Sequence, residues 1–413
     1  MALVRCGIND APNEILLLIC RELSRGTLAT LCRTSRALLG AAQYILYLSV
    51  TIADSIICAP SRLRSWCLAI NAHPHLAARV QSLALHLPNL GSLPESLSFD
   101  DAQQLQTALQ RCIRLQRLAI FKVDRSARRG CNAAWLLRGC AFRLHGLINE
   151  YFALDDDFAS FLSKQTELRR LSLDYIERTC TGARYLGAFS SEAMPVPNVT
   201  IASVPDERDL RPEWRLERLE IAYRVTSNDA LRLQDYARTL TVLNIFTPEN
   251  WRYSRVCLAD SVDLISELLP NLVHFAAVDM ISLNATLLHT LSPHVSVARF
   301  QRLKTLTLMI WNNVLSFSSE YDANGWPSGR QYHVNRDVNV FPDAPSSGME
   351  ALVEHTAQAC KSLQRVIIGT FDPVSRKHLK YVAKRDAKGR ISVTTEAPAD
   401  KFDFLSVSQF GSE

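Results

Sequence analysis

The sequence predicts an α/β fold in which three N-terminal helices precede a long array of helix–strand units. A short apolar pattern typical of a strand recurs along most of the chain, and the segments between its copies have the apolar spacing of amphipathic helices. The opening helix, at residues 12–23, is apolar on nearly all sides. We expect the strands to form a curved parallel sheet with the helices on its outer side, which is a solenoid.

The recurring strand pattern reads apolar, two residues, apolar, one residue, apolar. Its copies lie at residues 80–85, 115–120, 168–173, 216–221, 240–245, 272–277, 303–308 and 363–368, with a degenerate copy at 144–147 that lacks the third apolar position. Most gaps between copies fall near or somewhat above the leucine-rich-repeat length of about 20–29 residues. The pattern predicts an irregular leucine-rich-repeat solenoid over residues 53–371. The residue between the last two apolar positions should be exposed and free to bind a partner.

The segments between the strand copies carry the start and stop signals of helices. Asp100 and the acidic run that begins at Asp155 can cap helices whose apolar residues follow three or four positions apart. Pro270 ends the apolar spacing that begins at Val262. Each unit is therefore a helix followed by a short strand. One such unit cannot bury its apolar side, whereas a stack of units can.

A doubly wound α/β sheet is the competing fold, because strands and helices alternate there too. That fold favours a glycine-rich phosphate loop after an early strand, and neither GxGxxG nor GxxxxGK occurs in this sequence. It also favours longer, continuously apolar strands. The predicted strands here are short and flanked by Arg, Gln, Glu and Thr. The solenoid is therefore the favoured interpretation.

Composition places the chain among ordinary globular proteins, with 47% apolar and 21% charged residues. Its 413 residues exceed one compact domain, as a repeat array would. No stretch reaches the roughly 18 apolar residues of a membrane span, and the first residues lack the order of a signal peptide. The 11 cysteines have no repeated spacing, which indicates reduced thiols and a cytoplasmic or nuclear location without membrane association.

The net charge of +5 comes from one C-terminal segment. Residues 376–390 hold seven basic residues and one acidic residue, so this segment carries +6 and the rest of the chain carries −1. A nucleic-acid-binding protein spreads its basic groups over a whole face, so no nucleic-acid partner is expected. We interpret residues 372–413 as a basic hairpin and C-terminal tail.

Candidate catalytic and metal sites are weak. His73 and His75 flank a proline without a Cys or carboxylate at ligand spacing, and Cys131 and Cys140 are too far apart for the common zinc motifs. The acidic run at residues 155–157 lacks the spaced oxygens of a calcium loop. No GxSxG or HExxH motif appears. We therefore expect that the chain is not an enzyme and that it binds no metal or cofactor.

Two segments interrupt the repeats, at about residues 187–215 and 312–347. The first is rich in Pro and Ser, and the second carries aromatic residues among Gly, Asn, Asp and Pro. Long loops are uncommon unless they are functional or disordered. Trp326 and Tyr332 in the second segment are candidate target-binding residues, because aromatic side chains suit protein recognition. A tolerated surface insertion is the alternative interpretation.

The opening residues are more apolar than three short helices can bury. Asp10 can cap the first helix, whose stripes are Ile15 with Ile19 and Leu23, Leu16 with Cys20, and Leu17 with Leu18. A second helix, capped by Thr27, and a third segment at 41–48 follow. The surplus indicates a partner site, or else the helix is a solenoid cap packed wholly inside.

The order of these residues resembles an F-box. That motif reads Pro-x-Glu-Ile/Leu-Leu-x-x-Ile and later Leu-x-x-Leu-x-x-Val-Ser/Cys-Arg/Lys, and residues 12–19 and 28–36 resemble it. Residues 46–52 resemble the ending common in fungal F-box proteins, and residues 73–76 resemble the entry to their first repeat. Residues 1–52 are therefore identified as an F-box helical hairpin.

The resemblance implies a non-catalytic role. F-box hairpins dock on a Skp-type adaptor, which links them to a cullin–RING assembly, and the repeats hold a target protein. The chain would be the substrate-recognition subunit of a Skp–cullin–F-box ubiquitin ligase. The resemblance assigns adaptor contact to Pro12, Ile15, Leu16, Ile19, Leu28 and Leu31, some of which must also hold the hairpin together. The alternative is a leucine-rich-repeat scaffold without any ubiquitin role.

Overall fold

In the computed structural model of this protein, most of the chain between residues 11 and 399 is described. The described residues are 11–52, 61–88, 97–123, 131–153, 155–173, 199–204, 210, 213–221, 231–246, 258–279, 297–310, 315–321, 327–334, 347–372 and 377–399. Described residues up to 168 belong to one compact unit, and those from 169 onward belong to a second.

The helices alternate with the strands along most of the chain. They are α1 (Asn13–Arg21), α2 (Arg25–Thr34), α3 (Arg36–Leu48), α4 (Ser61–Ala72), α5 (Pro74–Ala77), α6 (Phe99–Arg111), α7 (Asp156–Leu162), α8 (Leu258–Leu268) and α9 (Ser347–Ala359). Short 3-10 helices cover Ala134–Leu137 and Leu231–Tyr236 in the part of the chain that the structure describes. Among the described residues, none of the helices has the length and apolarity needed to cross a bilayer.

The strands form one large sheet and one small one. The strands are β1 (Ser49–Ile52), β2 (Ser82–Leu87), β3 (Arg117–Lys122), β4 (Gly146–Asn149), β5 (Arg170–Leu173), β6 (Ile201–Val204), β7 (Arg218–Ile221), β8 (Val242–Phe246), β9 (His274–Asp279), β10 (Thr305–Ile310), β11 (Leu315–Tyr321), β12 (Pro327–Val334), β13 (Arg365–Asp372), β14 (Lys377–Arg385) and β15 (Ile391–Ala399). Within the described residues, the large sheet has 13 strands in chain order, and β11 pairs with β12 separately. The sheet is mostly parallel, so the predicted α/β class is confirmed.

Each predicted copy of the apolar pattern overlaps a strand. Equivalent positions of neighbouring copies are paired in register. In the first unit Leu83 pairs with Leu118, and Leu118 with Leu147. In the second unit the same position runs from Leu219 to Val366 through buried side chains. The apolar side chains of each strand therefore lie beside those of the strand before it.

Strand β6 lies inside the segment predicted as an insertion at 187–215. It pairs in parallel with both β5 and β7, and Ala202 stands beside Leu171 and Leu219. Val199 and Ala202 are buried, so residues 199–204 are a further copy of the apolar pattern with Ala at its middle position. The prediction of an uninterrupted insertion is wrong here, because a small apolar residue takes the place that Leu holds elsewhere.

Strand β1 begins the sheet directly after the N-terminal helices. Val50 pairs with Leu83 and Ile52 with Leu85, so residues that the sequence assigns to the helical hairpin already belong to the sheet. At the other end, β13, β14 and β15 pair antiparallel, and the basic segment lies on β14 and its turn. Gly389 takes a φ of 80° in that turn, a conformation that glycine adopts without strain.

Candidate partner-binding surface

Serine side chains set the helix boundaries of the N-terminal hairpin. The Ser24 hydroxyl accepts a hydrogen bond from the backbone N–H of Thr27 at 3.2 Å, and the Ser35 hydroxyl accepts one from Leu38 at 3.3 Å. Ser24 is therefore the cap of α2, in place of the predicted Thr27, and the helix begins three residues earlier. The predicted cap of α1, Asp10, lies outside the described residues, and Pro12 directly precedes that helix.

The three helices share a small apolar core. Its buried members are Leu16, Cys20, Leu28, Leu38, Ala41 and Ala42. Leu31 is partly buried against this core. Of the residues assigned to the adaptor by resemblance, Leu16 and Leu28 therefore hold the hairpin together, and Leu31 contributes to the same packing. The core explains how three short helices stay folded, but it uses only one side of α1.

The other side of α1 exposes large apolar side chains to water. Ile15 is 46% exposed, Leu18 55% and Ile19 40%. Pro12, which directly precedes the helix, is also exposed. It lies three residues before Ile15, and Leu18 and Ile19 lie three and four residues after Ile15, so the four residues fall on one face. We call Pro12, Ile15, Leu18 and Ile19 the α1 apolar face. Exposed apolar side chains that are grouped on one face are a candidate interaction site.

Sequence reasoning missed Leu18 in this face. It grouped Leu18 with Leu17, although the structure packs Leu17 toward the hairpin core and leaves Leu18 in water. The missed signal is the spacing of three residues between Ile15 and Leu18. Exposed Glu14, Arg21 and Glu22 add charged groups on the same helix. An apolar centre with a charged rim is the ordinary anatomy of a protein–protein interface.

Cys20 is a buried core residue of the hairpin, and the partly buried Cys32 packs against that core. Burial raises the pKa of the Cys20 thiol, and burial followed by the neighbouring Cys20 raises the pKa of Cys32. Burial also raises the pKa values of Cys67, Cys112 and Cys140 to about 12. A thiol with so high a pKa stays protonated and is a poor nucleophile or metal ligand.

The weak metal candidates have structural partners. Asp155 caps α7 by accepting a hydrogen bond from the backbone N–H of Phe158 at 2.9 Å, and Asp157 receives two hydrogen bonds of 2.7 Å from Arg138. His145 Nε2 lies 3.1 Å from Glu167 Oε2. Within the part of the chain that the structure describes, no three His, Cys, Asp or Glu residues are grouped to hold a metal ion.

One of the two candidate target-binding residues falls on a described strand. Trp326 lies outside the described residues. Tyr332 is on β12, where its backbone stands opposite Phe317 of β11. Their role in target binding stays a prediction.

The residue between the last two apolar positions of the repeat pattern is buried in several strands of both units. It was predicted to be exposed, yet Ala84, Ala119 and Ile148 are buried in the first unit, and so are Asn244 and Thr307 in the second. In the first unit the residues at this position are apolar. The strands therefore carry apolar side chains on both faces, and burial of both faces removes them from water. Binding through this position of those strands is therefore no longer the favoured interpretation.

A scan against protein-family models matched no family, and a search of curated proteins found no match for this chain.

Proposed function

We propose that this chain is the substrate-recognition subunit of a Skp–cullin–F-box ubiquitin ligase, and that it does no chemistry itself. The observation that carries the proposal is the α1 apolar face. The hairpin uses Leu16 and Leu28 for its own core and leaves Ile15, Leu18 and Ile19 in water. A hairpin that holds itself together with one set of residues and presents another is suited to docking.

Burial of the α1 apolar face by an adaptor would stabilise the complex. Fully burying an Ile or Leu side chain gains about 1.5–3 kcal/mol, and these side chains are already about half buried, so roughly 1 kcal/mol remains for each. The rigid helix presents them without further ordering, which keeps the entropic cost of binding low. A small apolar face can therefore contribute useful affinity.

The repeats would supply the second half of the function. In this proposal the parallel sheet holds a target protein while the adaptor fixes the chain to a cullin–RING assembly. Ubiquitin transfer takes place on other subunits, and the receptor acts by raising the effective concentration of a target lysine near the charged conjugating enzyme. This division of labour requires two separate binding surfaces on one chain.

Reconstitution with a Skp-type adaptor tests the proposal. The full chain, co-expressed with the adaptor, should elute from size exclusion as a one-to-one complex that also recruits the cullin–RING subunits. The control lacks residues 1–48, because removing residues 1–52 would also take away β1, which pairs with β2. A full chain that elutes without adaptor would contradict the proposal and favour a leucine-rich-repeat scaffold with no ubiquitin role.

A further inference from the structure

Basic side chains occupy one level of the sheet in the second unit. The strand register places Arg170 on β5, Arg218 on β7, His274 on β9, Arg365 on β13 and Lys384 on β14 at equivalent positions. We call these five residues the cationic row, in which His274 is a neutral imidazole at pH 7 because its pKa is lowered. The strands between them place Ile201, Val242 and Thr305 at the same level.

The cationic row lies on the face of the sheet that the leucines do not use. The next residue along each parallel strand belongs to the apolar core, as with Leu171, Leu219, Phe275 and Val366, and successive side chains of a strand point to opposite faces. The row is partly accessible, although Val242 and Thr305 at the same level are buried. Lys384 is exposed, and the other four members are partly exposed.

The charges in the row act on one another. Neighbouring strands are about 4.8 Å apart, so cations on alternate strands are roughly 10 Å apart, and partial burial weakens the screening by salt. The pKa of His274 is lowered, first by burial and then by the positive charges of Lys304 and Arg218. Two acidic residues lie nearby: Glu220 is on β7, and Glu217 directly precedes this strand. Arg170, Arg218, Arg365 and Lys384 outnumber these two acidic residues four to two.

Arg365 and Lys384 are the members of the row that a ligand could contact as charged donors. Lys384 is exposed and Arg365 is partly exposed. A bound carboxylate could accept hydrogen bonds from these two side chains, and charge-assisted hydrogen bonds of this kind are stronger than neutral ones. A row that holds four cations is therefore suited to an anionic ligand.

We propose that the cationic row binds an acidic, carboxylate-rich segment of the target protein. From β5 to β14 the row crosses seven strand intervals, which is roughly 34 Å and matches about ten residues of extended peptide. Single-stranded nucleic acid would need aromatic stacking platforms between its basic contacts. The intervening Ile201, Val242 and Thr305 are aliphatic or hydroxyl-bearing, which favours a peptide. The inference rests on the proposed function in one respect: that function identifies the acidic segment as part of a ligase target.

A direct binding assay on the full chain tests the proposal. The probe is a fluorescein-labelled twelve-residue peptide of alternating Glu and Gly, compared with the same peptide carrying Gln for Glu. The double variant Arg218→Gln/Arg365→Gln should bind the Glu peptide at least tenfold more weakly than the native chain. The matched control is Arg302→Gln/Lys361→Gln, which removes the same charge from exposed positions of the second unit and should bind normally.

A second pair of variants avoids the partly buried residues. Lys384→Glu should also weaken the Glu peptide, whereas Lys388→Glu, in the turn after β14, should not. Unchanged affinity in both row variants, equal weakening in the controls, or tighter binding of a twelve-nucleotide thymidine strand would overturn the proposal. Adaptor binding is measured in parallel. If the native chain does not bind the adaptor, the ligase role is contradicted, but the result of the peptide assay is unaffected.

Discussion

Arg64 on α4 donates two parallel hydrogen bonds of 2.8 Å to Asp101 on α6, from Nε to Oδ1 and from Nη2 to Oδ2. The pair is asymmetric, since the Arg64 side chain is 54% exposed and the Asp101 side chain only 6%. Asp101 also receives a 2.7 Å hydrogen bond from the hydroxyl of Ser98, the cap of α6. This pair links neighbouring helices of the first unit.

The asymmetry predicts which partner is harder to lose. Arg64→Met should destabilise the protein more than Asp101→Asn, because it leaves a buried carboxylate, whereas the Arg64 left by the second variant can be solvated. The hydrogen bond from Arg64 is the main cause that lowers the pKa of Asp101. The pair's contribution is therefore lost as pH falls through that lowered pKa. Urea unfolding of both variants at pH 7 ranks them, and the reverse order would refute the assignment.

Asn149 predicts a second outcome. It stands where the degenerate repeat lacks its third apolar residue, and its Oδ1 accepts from the N–H groups of Tyr151 at 3.2 Å and Phe152 at 2.7 Å. Its Nδ2 donates to the Phe152 carbonyl at 3.0 Å. Asn149→Leu would complete the apolar pattern, yet it should cost about 2–4 kcal/mol in unfolding free energy by leaving buried backbone groups unpaired. Unchanged stability would show that the strand needs only an apolar residue there.

The strand register is tested at β5. Leu171 is fully buried, so Leu171→Ala should reduce the unfolding free energy by about 2–5 kcal/mol. The exposed Arg169 is the matched control, and Arg169→Ala should change it by less than about 0.5 kcal/mol. Arg170 is less suitable as the control because it is half-buried. Equal effects in the two variants would contradict the register.

His274 predicts a pH dependence. Its pKa in the folded chain is below the unfolded value near 6.5, so the unfolded state binds the proton more readily. Stability should therefore fall as pH drops below about 6.5, until the lowered pKa is passed. His274→Gln should flatten this window in urea titrations at pH 7.5 and 5.5. His75→Gln, at an exposed position, should behave like the native chain, and so would His274→Gln if the interpretation were wrong.

The sequence predicts the repeating strands well because Leu, Ile and Val at fixed spacing report core positions directly. It fails where a different residue does the same work. Ala202 continues the leucine ladder with a smaller side chain, and Asn149 replaces apolar contact with hydrogen bonds to the following turn. Neither departure can be recognised without the strand register.

The candidate surface shows the same limit. The apolar content of α1 predicts a surplus of apolar surface, but two adjacent residues, Ile15 and Leu16, have opposite roles. Only the packing of α2 and α3 against one side of α1 separates them. A Leu16→Asp substitution would therefore unfold the hairpin, and only substitutions at exposed positions report on docking.

The affinity of the Ile15→Asp chain for a Skp-type adaptor tests the central claim most directly. A carboxylate at a dry interface loses its solvation without gaining a partner, so binding should weaken about a hundredfold or more, which is roughly 2.7 kcal/mol. Leu68→Asp, at a 54% exposed leucine on α4, is the matched control and should bind like the native chain. Circular dichroism first verifies that both variants are folded. Adaptor binding by Ile15→Asp that equals that of Leu68→Asp would contradict the account.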